Sequence, residues 1–129
     1  MINGIEISNR AKIGSGLLIP HPQGIVIGGG VVIGKNATIQ QGTTIGANID
    51  KIINGKRYPN IGDNVLIGAG AKVLGPISIG DNSIIGANAV VTKDIPKNSI
   101  AVGIPARVIR VVEKPYPEFL KELRENKYD

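Results

Sequence analysis

The sequence predicts an all-β fold built as a parallel β-helix, and three observations carry that expectation. Ile or Val recurs every six residues, at Ile27, Ile33, Ile39 and Ile45, and, past an interruption, at Ile61, Ile67, Val73, Ile79, Ile85 and Val91. Seven of these ten are followed by Gly. Four residues after them the side chain is usually small or β-branched, as at Val31, Ala37, Thr43, Val65, Ala71, Ile77, Ser83 and Ala89. The composition agrees: 18 glycines stand against one Phe, three Tyr and no Trp. Core volume therefore has to come from stacked β-branched side chains, which favour strands.

A period of six would scatter the Ile and Val residues around an α-helix, whose period is 3.6. Strands of about four residues joined by tight corners instead point each of them inward, with Gly relieving the corner. Three such steps close a triangular coil, so residues 18 apart stack: Ile27 over Ile45, Ile61 over Ile79, Ile67 over Ile85. A β-sandwich would show alternation with period two and variable spacing. A weaker register, Ile7, Ile13 and Ile19, extends the repeat to the N-terminus. Each coil buries its apolar face only against its neighbours, so the stack needs capped ends.

Two interruptions break the rhythm. Between Ile19 and Ile27 the spacing is eight, and the two extra residues fall in PHPQG, which holds the only histidine, His21, between Pro20 and Pro22. Between Ile45 and Ile61 the spacing is sixteen, which reads as four beyond two hexads. That excess lies in ANIDKIINGKRYPN, where Asn54-Gly55 is a tight-turn signal. Loops extruded from a rigid scaffold are where function tends to sit. The repeat is expected to end near Asp94-Ile95-Pro96. Residues 1–112 then form the β-helix domain, with an extruded loop at about 47–60, and 113–129 form a tail. The tail reads as a short helix from near Pro117, with Phe119, Leu120 and Leu123 on one face. It would cap the open end of the coil or pack on a neighbouring subunit.

With no Cys, disulfides and thiol chemistry are excluded. The N-terminus has neither the basic nor the apolar region of a signal peptide, and no apolar run approaches the roughly 20 residues of a membrane span. The expected location is cytoplasmic. A net charge of +5 suits an anionic small molecule better than nucleic acid, because the aromatic residues that stack on bases are nearly absent.

The stretches GIEISNRAKIGSGLLIPHPQGIVIGGGVVIG, IGAGAKVLGPISIGDNSIIGANAVVTKDIP and VGIPARVI closely resemble the serine acetyltransferase branch of the hexapeptide acyltransferases, over residues 4 to about 112. The resemblance implies a left-handed β-helix, a homotrimer and acetyl-CoA as acyl donor, with no metal. It places His21 on the family's catalytic histidine and Glu6 on the aspartate that orients it. Gly68, Ala69 and Ala87 fall on positions lining the CoA groove, and Arg107 in the segment near the CoA nucleotide. Lys93 is a further candidate for the CoA phosphates. The departures are specific. Pro20-His21 stands where the family has Asp-His, Gly29 replaces a glutamate, and Arg57-Tyr58-Pro59 replaces Arg-His-Pro. The sequence also opens directly on the repeat, without a preceding helical domain. These differences lead to the expectation of a sugar or polysaccharide hydroxyl as acceptor, with Arg57 and Tyr58 contacting it. L-Serine is the alternative acceptor, and a non-catalytic assembly module the alternative outside enzymes.

The chemistry needs the same residue types. Acetyl transfer from a thioester to a hydroxyl requires a base for the attacking oxygen, and an imidazole, with an ordinary pKa of about 6.5, suits that task. A carboxylate on the other ring nitrogen would fix its tautomer. Glu6 precedes His21 by 15 residues, near the length of one coil, which suggests adjacent layers. Without Cys or a nucleophile-elbow Ser, direct attack is simpler than an acyl-enzyme. A metal-binding β-helix would need several histidines.

Overall fold

The computed structural model describes residues 4–112; the helix expected in the 113–129 tail lies outside them. The described residues form strands and no helix. In chain order these are β1 (Glu6–Ile7), β2 (Lys12–Ile13), β3 (Val26–Ile27), β4 (Val32–Ile33), β5 (Thr38–Ile39), β6 (Thr44–Gly46) and β7 (Asn60–Ile61). They continue as β8 (Leu66–Ile67), β9 (Lys72–Leu74), β10 (Ser78–Ile79), β11 (Ile84–Ile85), β12 (Val90–Val91), β13 (Ser99–Val102) and β14 (Arg107–Val111). They stack into three sheets: sheet A is β1-β3-β6-β9-β12, sheet B is β2-β4-β7-β10, and sheet C is β5-β8-β11-β13-β14. The chain visits A, B and C in turn, so each circuit is one coil of a left-handed parallel β-helix with three faces.

The stacking follows the expected register. Ile27 pairs with Ile45, Ile61 with Ile79, and Ile67 with Ile85, all parallel. Most strands are two residues long; in β3, β4, β7 and β10 the first residue faces out and the second is buried. Ile39, Ile45, Ile67, Val73, Ile85 and Val91 are fully buried, and so are the corner residues Val31, Val65, Ala71, Thr43, Ser83 and Ala89. Burying an Ile side chain contributes about 1.5–3 kcal/mol, so the column of β-branched residues supplies the core without aromatics.

Two coils differ in length from the expectation. Ile33 pairs with Ile61 and Ile39 with Ile67, each across 28 residues. Ile45 in sheet A is therefore followed by Ile61 in sheet B after a single step, and the extrusion is ten residues beyond one hexad rather than four beyond two. At the C-terminal end the coil shortens instead, with Ile79 bridging to Ile95 and Ile85 pairing with Ala101. Past Pro96 the chain adds β13 in parallel and folds back antiparallel as β14, with a register shift at Ile100/Ala101. No helix among the described residues is long and apolar enough to cross a membrane.

The corner between sheets B and C carries a side-chain ladder. Asn36, Asn64, Asn82 and Asn98 all adopt positive φ, between 57° and 64°. The Asn64 amide donates to Asn82 Oδ1 at 3.3 Å and the Asn82 amide to Asn98 Oδ1 at 3.0 Å. Beside them the backbone N–H of Lys35 donates to the Asp63 carboxylate and that of Asp63 to the Asp81 carboxylate, both at 2.7 Å. Asn tolerates the left-handed region, which costs other L-residues about 1–2 kcal/mol. Replacing Asn82 with Ala should therefore lower unfolding free energy by about 2 kcal/mol, read from urea midpoints, and Asn82→Gly should lose less than half as much.

Candidate active site

The three edges of the prism sort the candidate residues. The C-to-A edge holds, from the N-terminal end, Gly4 and Ile5, the corner 19–25, then Gln40–Thr43, Gly68–Ala71, Gly86–Ala89 and the turn 103–106. Backbone hydrogen bonds link these corners layer by layer. Gly42 N–H donates to Gln23 C=O at 2.9 Å, Gly70 N–H to Gln41 C=O at 2.8 Å, and Asn88 N–H to Ala69 C=O at 2.8 Å. Gly24, Gly42, Gly70 and Asn88 share positive φ, between 60° and 72°, which stacks the corners into one column.

His21 stands in this column one layer below Gly4. Residues 20 to 24 are all exposed, and both ends of the corner are tied to the next coil, Leu18 N–H donating to Ala37 C=O and Gln23 C=O accepting from Gly42 N–H. Between these ties the Gln23 N–H donates to the His21 carbonyl at 2.8 Å across Pro22. That is a three-residue turn, and proline at its centre already has the φ it needs. The extra length leaves His21 exposed, and the flanking prolines limit its backbone.

Below His21 the edge stays narrow. Ala69 is half-buried and Ala87 exposed, so only small side chains stand out from this edge. Three layers at about 4.8 Å each put Ala87 roughly 14 Å from the His21 corner. Gly68 has a different reason to be Gly: a Cβ there would lie 2.7 Å from Ala87 N and 2.8 Å from Ile85 O. Its smallness serves the next coil before any ligand. At the far end Arg107 opens β14, exposed and paired with Val102. The turn before it clasps Val90, whose N–H donates to Gly103 C=O and whose C=O accepts from Ala106 N–H. His21, Gly68, Ala69, Ala87 and Arg107 therefore share one edge.

The remaining candidates lie elsewhere. Glu6 is exposed on sheet A, and its register partner is Val26. The coil carrying His21 is 20 residues long, so the 15-residue spacing does not stack the pair; His21 stands on the adjoining corner, five residues before Val26. Arg57, Tyr58 and Lys93 occupy the A-to-B edge, across the width of sheet A from His21. There Arg57 is exposed, Tyr58 half-buried and Pro59 buried, with Pro59 C=O accepting from Val32 N–H at 3.2 Å. Among the described residues no cluster of His, Cys, Asp or Glu is arranged to hold a metal ion.

Two contributors escaped the sequence reading. Lys72 points outward from β9, and its ammonium donates to Gly70 C=O at 2.7 Å and Gly42 C=O at 3.2 Å. It fastens two corners of the His21 edge and leaves a positive charge beside them; nothing in a six-residue period marks it. Gln41 lies between the His21 and Ala69 layers, and the 28-residue offset that aligns it appears only once the extruded loop is measured. Gly68→Ala should destabilise the fold by about 2 kcal/mol, read by urea unfolding, because its Cβ meets backbone that cannot turn aside.

Residues 58–93 match the family model "Bacterial transferase hexapeptide (six repeats)" and residues 24–50 match "Hexapeptide repeat of succinyl-transferase". Among curated proteins, serine acetyltransferase of Staphylococcus aureus is 53% identical over 107 residues, covering 83% of this chain and 49% of the relative. The crystal structure of Brucella abortus serine acetyltransferase in complex with coenzyme A matches with a TM-score of 0.74 at 42% identity, covering 80% of this chain and 40% of that one. Neisseria gonorrhoeae serine acetyltransferase in complex with serine matches with a TM-score of 0.76 at 41% identity, covering 83% and 43%. The chain spans about half the length of the curated relatives it matches. By its repeats, its coil and these likenesses, it belongs to the hexapeptide-repeat acyltransferases, in the serine acetyltransferase-like branch.

Proposed function

We propose that this chain is an acetyl-CoA-dependent O-acetyltransferase with His21 as general base and L-serine as acceptor. The observation that carries the reading is the lone histidine exposed on a clamped corner of an edge of small residues. A relative bound to coenzyme A and another bound to serine support the two substrates, and the names of the curated relatives weigh toward serine over the sugar hydroxyl expected from the sequence. The residues fit the donor. Ala69 and Ala87 leave room along the edge, and Arg107 supplies a cation at its far end for phosphate. Lys93, on the other edge, is not placed to share that task within one subunit.

In this reading the His21 imidazole takes the proton of the acceptor hydroxyl as its oxygen attacks the thioester carbonyl. The C–S bond then breaks, and the proton returns to the departing CoA sulfur. Glu6 supports the imidazolium from sheet A through the field of its carboxylate, as register gives it no place directly beneath the ring. The acceptor contacts Arg57 and Tyr58 from a second copy. The two groups of candidates occupy different edges, and a cyclic trimer brings the C-to-A edge of one subunit against the A-to-B edge of the next. A sugar hydroxyl is the second reading, favoured by the aromatic ring of Tyr58 where the family carries histidine.

Purified protein given acetyl-CoA and L-serine should release CoA thiol in a serine-dependent way, and His21→Ala should lower that rate about 10²–10⁴-fold. Release driven by sugar acceptors and not by serine would move the assignment to the second reading. Indifference of all transfer to His21→Ala would leave only the non-catalytic module. Ala87→Glu should change folding stability by no more than about 0.5 kcal/mol, since its side chain is exposed, while raising the KM for acetyl-CoA.

A further inference from the structure

The run Gly28-Gly29-Gly30 has no role in the coil that three glycines would be needed for. Among the positive-φ positions none of the three appears, so their backbone is open to any residue. What excludes side chains at two of them is Tyr58. A Cβ on Gly30 would meet Tyr58 Cδ2, Cγ and Cε2, the ring carbons of one edge, within 2.8 Å. A Cβ on Gly28 would meet Cε1 at 2.8 Å and Cδ1 at 3.2 Å, on the opposite edge of the ring. The ring therefore lies flat across the corner of the preceding coil, each long edge over one glycine. Its backbone is held as well. Pro59 restricts Tyr58 to extended conformations and is itself buried and bonded to Val32.

Beside the seated ring is a cavity of about 430 Å³ bounded by Gly30, Val32, Lys56, Arg57, Tyr58 and Asn60. That size is in the range of small-molecule sites. Lys56, Arg57 and the Asn60 amide line it beside an apolar wall, so the group it suits is an anion.

We infer that Gly28 and Gly30 are positioning residues for Tyr58, and that the ring they seat is the wall that sets which acceptor fits beside Arg57. The acceptor half rests on the proposed transferase reading. The ring acts by occupying volume. Seated, it leaves the cavity open to a compact anionic acceptor; lifted by a side chain at position 30, it closes toward Arg57 and Lys56.

A double-mutant cycle tests this with four proteins: wild type, Gly30→Ala, Tyr58→Ala and the pair. Gly30→Ala alone should raise the KM for the acceptor on the order of tenfold with the KM for acetyl-CoA unchanged, and lower Tm by roughly 4 °C. In the Tyr58→Ala background the same substitution should do neither, because the atoms it meets are gone. Tyr58→Phe, which keeps the ring, should keep the coupling. L-Serine and an anionic sugar such as a hexose phosphate, run in parallel, identify which acceptor the wall selects. Equal effects of Gly30→Ala in both backgrounds, or a fall in kcat with both KM values unchanged, would overturn the inference. Wild-type protein that acetylates nothing overturns the transferase reading instead, and the melting cycle then decides the positioning role alone.

Discussion

Every feature of this molecule depends on the parallel hydrogen-bond ladder between successive coils. A two-residue strand has no independent stability. It persists here because each N–H and C=O finds its partner in the coil above or below, and because the inward Ile or Val of one coil rests on that of the next. The ladder also fixes rotation. Residues paired across sheet A, B or C stay on that face for the length of the molecule, so a corner keeps its edge through every layer. Position around the axis is thereby converted into a linear row along it.

That regularity confines projecting groups to the departures from it. A hexad has no spare residues; all its side chains are spent on the core, the corner or the outer face. The two extra residues at 20–24 and the ten in the segment before Pro59 are the places where the chain can project a group without breaking the ladder. Both extrusions are clamped where they leave the coil, at Leu18 and Gln23 for the first and at Pro59 for the second. The backbone that carries His21 and the Tyr58 ring are thus each tied to the coil. They are held on different edges, and a single subunit cannot bring them together.

The same glycine count hides three separate physical demands. Gly42 and Gly70 answer a left-handed backbone at a corner, Gly68 answers the close approach of the next coil, and Gly28 and Gly30 answer a ring delivered from the extruded loop. Asparagine meets the first demand on the B-to-C edge and adds a ladder of its own. Only the first demand is local, and only it could be argued from turn chemistry.

The β-helix, its stacking pairs and the two extruded segments were legible because a strict period of six leaves one way to turn every Ile and Val inward. His21 was legible for the same reason: a break in a strict period is conspicuous. The size of the second extrusion was misread, since sixteen divides as two hexads plus four or as one plus ten, and only strand pairing across sheets B and C distinguishes them. The exact relation of Glu6 to His21 needed the coil length: the two extra residues put Val26 over Glu6 and leave His21 on the corner five residues before it. Lys72, Gln41 and the seat of Tyr58 were beyond reach, as each joins residues whose separation includes the loop. The sequence by itself determined the period, and with it the core and the place where the lone histidine interrupts it. Only the tertiary structure decided which residues share an edge, because that depends on the summed length of every coil between them.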